Sequence, residues 1–286
     1  MMGRAVPQLI LKGRVVLEDG ILEDGMVVVE GETIQYVGSP VTTFRQDAEL
    51  IRTDGYIWPG LIDIHIHGAG GKDVMDATPE SIETIANTLI RYGVTGFLAT
   101  TVTGNKRHLE RAMANIVNQA PYLAGGAEVL GIHLEGPWIC PERSGAQNPE
   151  FIVNPEPEDA AWAIEKSEGT IRIVTMAPEL PGALDTIREL LDRGVIVSLG
   201  HTDATYEHML AAAEAGATHL THCFNAKRGV HHRDPGVVGA GLADERFSIE
   251  LIADGHHVHP GAVKLLAKVK GPDDMMLISD GIRAVG

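Results

Sequence analysis

With 286 residues, 44% hydrophobic and 22% charged, the chain has the apolar content for a large core and no bias toward disorder or low complexity. Its formal net charge of −16 excludes a general nucleic-acid surface, which needs lysine and arginine in excess, yet leaves room for a small anion held by one or two local cations. The longest apolar runs, such as Val94 to Val102, fall short of the roughly 20 residues that span a bilayer, and no signal-like segment opens the chain, so a cytoplasmic protein without membrane attachment is expected.

Residues 1–55 read as short strands. Gln8 to Leu17, Gly25 to Glu30 and Thr33 to Gly38 are rich in Val and Ile and are separated by Glu-Asp-Gly turns, which predicts the N-terminal part of a small β-sandwich. From residue 56 the pattern changes to apolar strand-like runs alternating with helix-like stretches. The strand candidates are Leu61 to Ile66, Gly96 to Thr101, Val129 to Leu134, Ile171 to Met176, Val195 to Leu199, His219 to His222, Ser248 to Ala253 and Met275 to Ser279. Amphipathic segments lie between most of them: Pro79 to Arg91, Lys106 to Asn118, Pro181 to Arg193, Tyr206 to Ala215 and Pro260 to Val269. Eight such strands predict a (β/α)8 TIM-type barrel over residues 56–286, with an open doubly wound sheet as the alternative. Only six residues follow Asp280, which leaves no sequence for a last covering helix, so the α/β barrel is expected to be truncated at its C-terminus.

Catalytic side chains of a barrel gather at the carboxyl ends of its strands, and ionisable residues recur there. His65 and His67 end the first strand, Glu135 the third, His201 the fifth, His222 the sixth and Asp280 the eighth. Histidines two apart on a strand share a face, so His65 and His67 can offer two imidazoles to one ion, although a His-Ile-His strand can also be polar edge filler. Glu135, His201 and His222 add a carboxylate and two imidazoles, a set that suits zinc first and iron or manganese next, with one or two ions bound. Asp280 closes the apolar run Leu277-Ile278-Ser279 as an isolated carboxylate; it reads as a turn or cap residue, or, beside a metal, as a general base. Cys140 and Cys223 are too few for a disulfide framework and read as small buried filler, with a redox or metal role the alternative.

Pro59-Gly60-Leu61-Ile62-Asp63-Ile64-His65-Ile66-His67-Gly68 resembles the opening strand of the amidohydrolase superfamily. Narrower are His133-Leu134-Glu135-Gly136-Pro137-Trp138, Leu199-Gly200-His201-Thr202-Asp203-Ala204, Thr221-His222-Cys223-Phe224-Asn225-Ala226 and Ala253-Asp254-Gly255-His256-His257-Val258. In that order they resemble the N-acetylglucosamine-6-phosphate deacetylase family over nearly the whole chain. The resemblance implies a divalent metal held by Glu135, His201 and His222, a second metal position at His65 and His67, and Asp280 as catalytic acid/base. It also implies an amino sugar phosphate as substrate and a homodimer or higher homo-oligomer. Ala146 and Gln147 fall at the acetamido end of the substrate, and Asn225, Ala226, Arg233, Asp254 and His257 at the sugar-phosphate end. A guanidinium at Arg233 suits phosphate, which it can grip with two hydrogen bonds; His231 and His232 before it read as surface residues.

Two departures from the family stand out. Gln147 occupies a position where an imidazole is expected; it can donate a hydrogen bond to a carbonyl but cannot become cationic. The family also continues beyond the point where this chain stops. The competing readings are another amidohydrolase acting on a cyclic amide or an N-acyl amino acid, or a truncated, non-catalytic metal- or ligand-binding protein. Many of those relatives carry a metal-bridging lysine on the fourth strand, where this sequence has Thr175-Met176-Ala177-Pro178-Glu179.

Overall fold

The computed structural model describes residues 7–42, 45 and 47–286, which divide into two units with the boundary after Gly60. The first unit is a four-stranded sheet of β1 (Gln8–Leu17), β2 (Gly20–Glu30), β3 (Thr33–Gly38) and β4 (Glu49–Ile57), in the order β3-β2-β1-β4. β1 pairs antiparallel with β2 and parallel with β4. Ile10, Met26 and Val28 form its small buried core, with Tyr36 and Ala48 packed against them. β2 starts five residues earlier than the Val-rich run suggested, because Gly20, Ile21 and Leu22 pair with Leu17, Val16 and Val15 before the register shifts toward the Gly13↔Gly25 pair.

The second unit is a barrel-type sheet of eight parallel strands hydrogen-bonded in sequence order. They are β5 (Leu61–Ile66), β8 (Val94–Thr101), β9 (Glu128–Glu135), β10 (Ile171–Met176), β11 (Ile196–Leu199), β12 (His219–Leu220), β13 (Ser248–Ile252) and β14 (Met275–Ile278); β6 (Gly68–Ala69) and β7 (Lys72–Asp73) make a small hairpin after β5. A parallel bridge between Ile66 and Gly281 brings the last strand back to the first, and His67 N–H and Gly68 N–H both donate to Gly281 O, at 2.8 and 3.0 Å. The open-sheet alternative is thereby set aside.

The helices are α1 (Pro79–Leu89), α2 (Lys106–Gln119), α3 (Asp159–Lys166), α4 (Ala183–Asp192), α5 (Tyr206–Glu214), α6 (Gly236–Ala243) and α7 (Pro260–Val269). α1 begins with Pro79, whose missing N–H costs nothing in a first turn, and buries Ile82, Ile85, Ala86 and Leu89 at helical spacing. α2 is capped by the Asn105 side chain, which accepts from His108 N–H, and buries Leu109, Ala112, Met113 and Ile116. α3 and α6 add to the helices expected. α6 is Gly-Val-Val-Gly-Ala-Gly-Leu-Ala, apolar on every side, so no amphipathic period could mark it; a Cβ on its Gly241 would lie 2.6 Å from Leu220, and the glycine lets helix and strand approach. No helix among the described residues is long and apolar enough to cross a membrane.

The core runs around the ring through Ile66, Phe97, Ile132, Val174, Val197 and Ile249. The barrel's interior is not wholly apolar: His65, His133, Glu135, Thr175, Ser198, Thr221 and Glu250 are all buried. Most barrel strand ends shift by a residue or two from expectation, and the shift that matters for the site is at β12, which ends at Leu220, so that His222 sits two residues past it, in a turn.

Candidate metal centre

Glu135, the last residue of β9, lies between two groups of imidazoles. Its Oε1 is 3.1 Å from His201 Nε2, 3.2 Å from His222 Nε2 and 3.4 Å from His65 Nε2. Its Oε2 is 3.3 Å from His67 Nε2. Asp280 Oδ1 faces the same two β5 histidines, 3.2 Å from His67 Nε2 and 3.6 Å from His65 Nε2. Glu135, His201 and His222 form one compact set, and His65, His67 and Asp280 another, each with its ligand atoms within 4.8 Å of one another. The sequence had placed all six at strand ends, and the fold brings them together.

The turns that deliver these groups are strained. His201, His222 and Asp280 have φ of 47°, 24° and 48°, in the left-handed region that side chains with a Cβ avoid, and Phe224 and Ala226 follow at 77° and 49°. Such backbone persists only where the surroundings hold it and concentrates at functional sites. For the His222 turn the holding groups are Lys227, a buried lysine whose Nζ donates to the carbonyls of Thr221, His222 (3.4 Å) and Asn225 (3.2 Å), and Glu250, whose Oε2 accepts from His222 N–H at 3.2 Å. Sequence reasoning had singled out neither. Glu250 had the same signature as Asp280, a lone carboxylate in an apolar strand, and could have been found by it.

Ring orientation is also set. His67 Nδ1 lies 3.2 Å from Thr100 O and His201 Nδ1 2.9 Å from Arg143 O, which as carbonyls must accept; each Nδ1 therefore carries a proton, and each Nε2 is turned to the centre. Gln147 is buried, its Oε1 accepting from Thr103 N–H at 2.6 Å and its Nε2 donating to Glu135 Oε2.

Burial alone would raise the Glu135 carboxyl, but the charges of His65 and His201 hold it well below the usual carboxylate range. Burial likewise opposes charge on His67, yet hydrogen bonds to Asp280 and Glu135 raise it to about 9. His222 goes the other way, lowered to about 4 by burial and then by Lys227. Asp280 stays below its ordinary value because its bond to His67 and the charge on His65 outweigh burial. Cys140 and Cys223 are pushed up to about 11, by burial first, so neither is a ready thiolate and both fit the filler reading.

A cavity of about 480 Å³ opens over the centre, lined by His67, Glu135, His201, His222 and Asp280 on its floor and by Gly145, Ala146, Gln147, Asn225, Ala226 and His257 around them. Residues 56–285 match the model of the amidohydrolase family. The chain belongs to the amidohydrolase family. Membership implies a divalent metal, and the donor set agrees: two imidazoles with a carboxylate, twice over, and a His65 Nε2 that is buried yet has no hydrogen-bond partner.

Among amidohydrolases, the chain is 41% identical over 287 residues to N-acetylglucosamine-6-phosphate deacetylase of Bacillus subtilis (strain 168), covering 94% of this chain and 72% of that protein. It is 40% identical over 274 residues to N-acetylgalactosamine-6-phosphate deacetylase of Escherichia coli O157:H7, covering 96% of this chain and 71% of the other. A solved structure of a variant N-acetyl-D-glucosamine-6-phosphate deacetylase from Mycobacterium smegmatis, in complex with N-acetyl-D-glucosamine-6-phosphate, superposes with a TM-score of 0.88 at 33% identity. The match covers 98% of this chain and 72% of that one.

Three expected site residues stand outside the cavity lining, the first of them His65, which is fully buried with its Nε2 3.4 Å from Glu135 Oε1. Arg233 is exposed on the loop before α6, next to the exposed His231 and His232. Asp254 is exposed and turned toward its own loop, where it accepts from His256 N–H and His257 N–H and is 2.7 Å from His257 Nδ1. It holds His257 at the cavity wall from outside.

Proposed function

We propose that the protein deacetylates N-acetylglucosamine 6-phosphate, yielding glucosamine 6-phosphate and acetate. The observation that carries this reading is the single cavity whose floor joins the Glu135, His201 and His222 set to Asp280. Glu135, His201 and His222 would hold the principal ion, zinc by preference and iron(II) or manganese otherwise; His65 and His67, with Asp280 beside them, would hold a second. The chemistry a divalent ion supplies when bound is polarisation of the amide carbonyl and acidification of adjacent water to a pKa near ~7.

The protein's own part is proton handling. Asp280, an ionised carboxylate held below its ordinary value, takes a proton from water as the new C–O bond forms at the acetyl carbon. It then gives that proton to the sugar nitrogen as the C–N bond breaks, so that a neutral amine leaves rather than an anion. Ala146, Gln147, Asn225, Ala226 and His257 border the space left for the sugar. The phosphate is assigned to Arg233 and His257, and because Arg233 stands away from its own chain's cavity, it would serve a neighbouring copy in a homodimer or higher assembly.

The test is acetate release from a panel of N-acetylated amino sugars and their 6-phosphates, including the glucosamine and galactosamine forms, by metal-analysed protein. Release from the 6-phosphate of N-acetylglucosamine in preference to the unphosphorylated sugar is expected. No release from any member by protein carrying its metal would overturn the reading. A rival amidohydrolase chemistry built on a fourth-strand lysine has no support here, since neither β10 nor the Ala177-Pro178-Glu179 that follows it contains a lysine.

A further inference from the structure

β13 contributes no ligand to either proposed ion set, yet the residue at its centre, Glu250, is fully buried in the barrel. Its Oε2 lies 3.1 Å from His65 Nδ1 and accepts from His222 N–H at 3.2 Å. One carboxylate oxygen therefore touches a histidine of each set. His67 and His201 have their Nδ1 atoms beside backbone carbonyls; His65 alone among the four has an anion there.

The bond to Glu250 fixes the proton on His65 Nδ1, because an ionised carboxylate can only accept. Nε2 is then the nitrogen left for an ion, and it faces Glu135 Oε1 and Asp280 Oδ1. A carboxylate behind a ligating imidazole fixes its tautomer and orientation and makes it a better donor. His133 also lies close enough to complete a cluster with His65 and Glu250, but both its nitrogens are engaged, with Ile64 O at 2.9 Å and Thr175 Oγ1 at 2.8 Å. That trio is therefore read as support for the ion sites rather than as a third one.

We propose that Glu250 is the positioning residue that makes the His65 and His67 position competent to hold an ion and ties it to the His222 turn, an inference that rests on the two-position reading above. Removing its charge should weaken the second ion far more than the first. Glu250→Gln keeps the shape and an acceptor for both N–H groups but loses the anion behind His65.

The measurement is zinc titration of metal-stripped protein against a chromophoric chelator, giving stoichiometry and two affinities. The parent should bind two ions. Glu250→Gln should weaken the looser position by about 10–100-fold and change the tighter one by less than about threefold, with an unchanged circular dichroism spectrum. Equal losses at both positions, or none at either, overturn the proposal. A parent that binds a single ion overturns both it and the two-position reading, whereas failure of the deacetylase reading shows separately, as absence of acetate release. If the variant does not fold, nitrogen-15 spectra of the zinc-loaded parent decide: His65 should carry its proton on Nδ1, and a proton on Nε2 instead overturns the proposal.

Discussion

The side-chain amide of Gln147 is a clamp on Glu135: it donates to one carboxylate oxygen while its own carbonyl accepts from the backbone N–H of Thr103. Both ends of the amide are thus engaged before any substrate enters, and the residue in place of an imidazole orients a proposed metal ligand. Gln147→Ala should reduce metal affinity by about tenfold and, by leaving Thr103 N–H unpaired, cost roughly 1–3 kcal/mol of stability. Elemental analysis and thermal melts read the two effects. Full metal retention with only a raised KM would show instead that the residue serves the substrate.

The set at the end of β9 and in the turns after β11 and β12 should carry the principal ion. Protein purified without added metal is expected to contain zinc, iron or manganese by elemental analysis, and Glu135→Ala, His201→Ala and His222→Ala combined should abolish it. Equal metal content in the triple variant would remove this assignment.

Asp280→Asn keeps the shape of the side chain but cannot carry a proton. General acid–base help is worth ~10²–10⁴ in rate, so kcat should fall at least about a hundredfold while the fold persists. Metal content must be measured on the same sample, because Asp280 also lies beside His67. Turnover near the parent rate at full occupancy would move the proton carrier elsewhere.

Arg233→Ala should raise the KM for a phosphorylated substrate and leave the unphosphorylated counterpart little changed. In a mixed assembly with a second variant inactive through Asp280→Asn, activity toward the phosphorylated substrate should partly return if the arginine serves a neighbouring copy. Equal losses on both substrates would show that it holds no phosphate.

Asp203, two residues beyond His201, gives a pH prediction of its own. Hydrogen bonds from Arg228 and Arg143 hold it at about 2, against an ordinary 3.8. A folded pKa below the unfolded one means stabilisation that is present above the unfolded value and lost as pH falls through the folded one. The side chain is about a third exposed, so solvent screening reduces the contribution to about 1 kcal/mol. Asp203→Asn should be less stable than the parent by that amount in urea melts at pH 7, with the gap closing as pH drops toward 2. A gap that is the same at both ends would mean the ion pairs add nothing.

Much of the barrel was legible because a parallel strand is a short, mostly apolar run with a clear end, as in Leu61–Ile66 and Ile171–Met176, which the sequence marks to the residue. The proposed ion-binding residues were legible for the same reason: a histidine or carboxylate closing such a run is conspicuous. What lay hidden depends on three-dimensional partners. Lys227 reads as one basic residue beside Arg228, and only the fold folds it back under the carbonyls of its own turn. α6 has no polar face to give a period, and Gln147 reads as a substrate contact until Thr103 is seen beside it.

The seam of the barrel has a consequence for biosynthesis. It is made by bonds such as Asp280 N–H to His65 O, 3.0 Å, between strands that the chain's order separates most widely. Pairings of such sequence separation form late, since the loop between them must be closed first. As the polypeptide leaves the ribosome, Glu135, His201 and His222 can meet before Asp280 has been added, whereas the pocket of His65, His67 and Asp280 has to wait for the ring to shut. Ion uptake by the nascent protein would then follow a fixed sequence, and filling of the β5 position would report that the ring is whole.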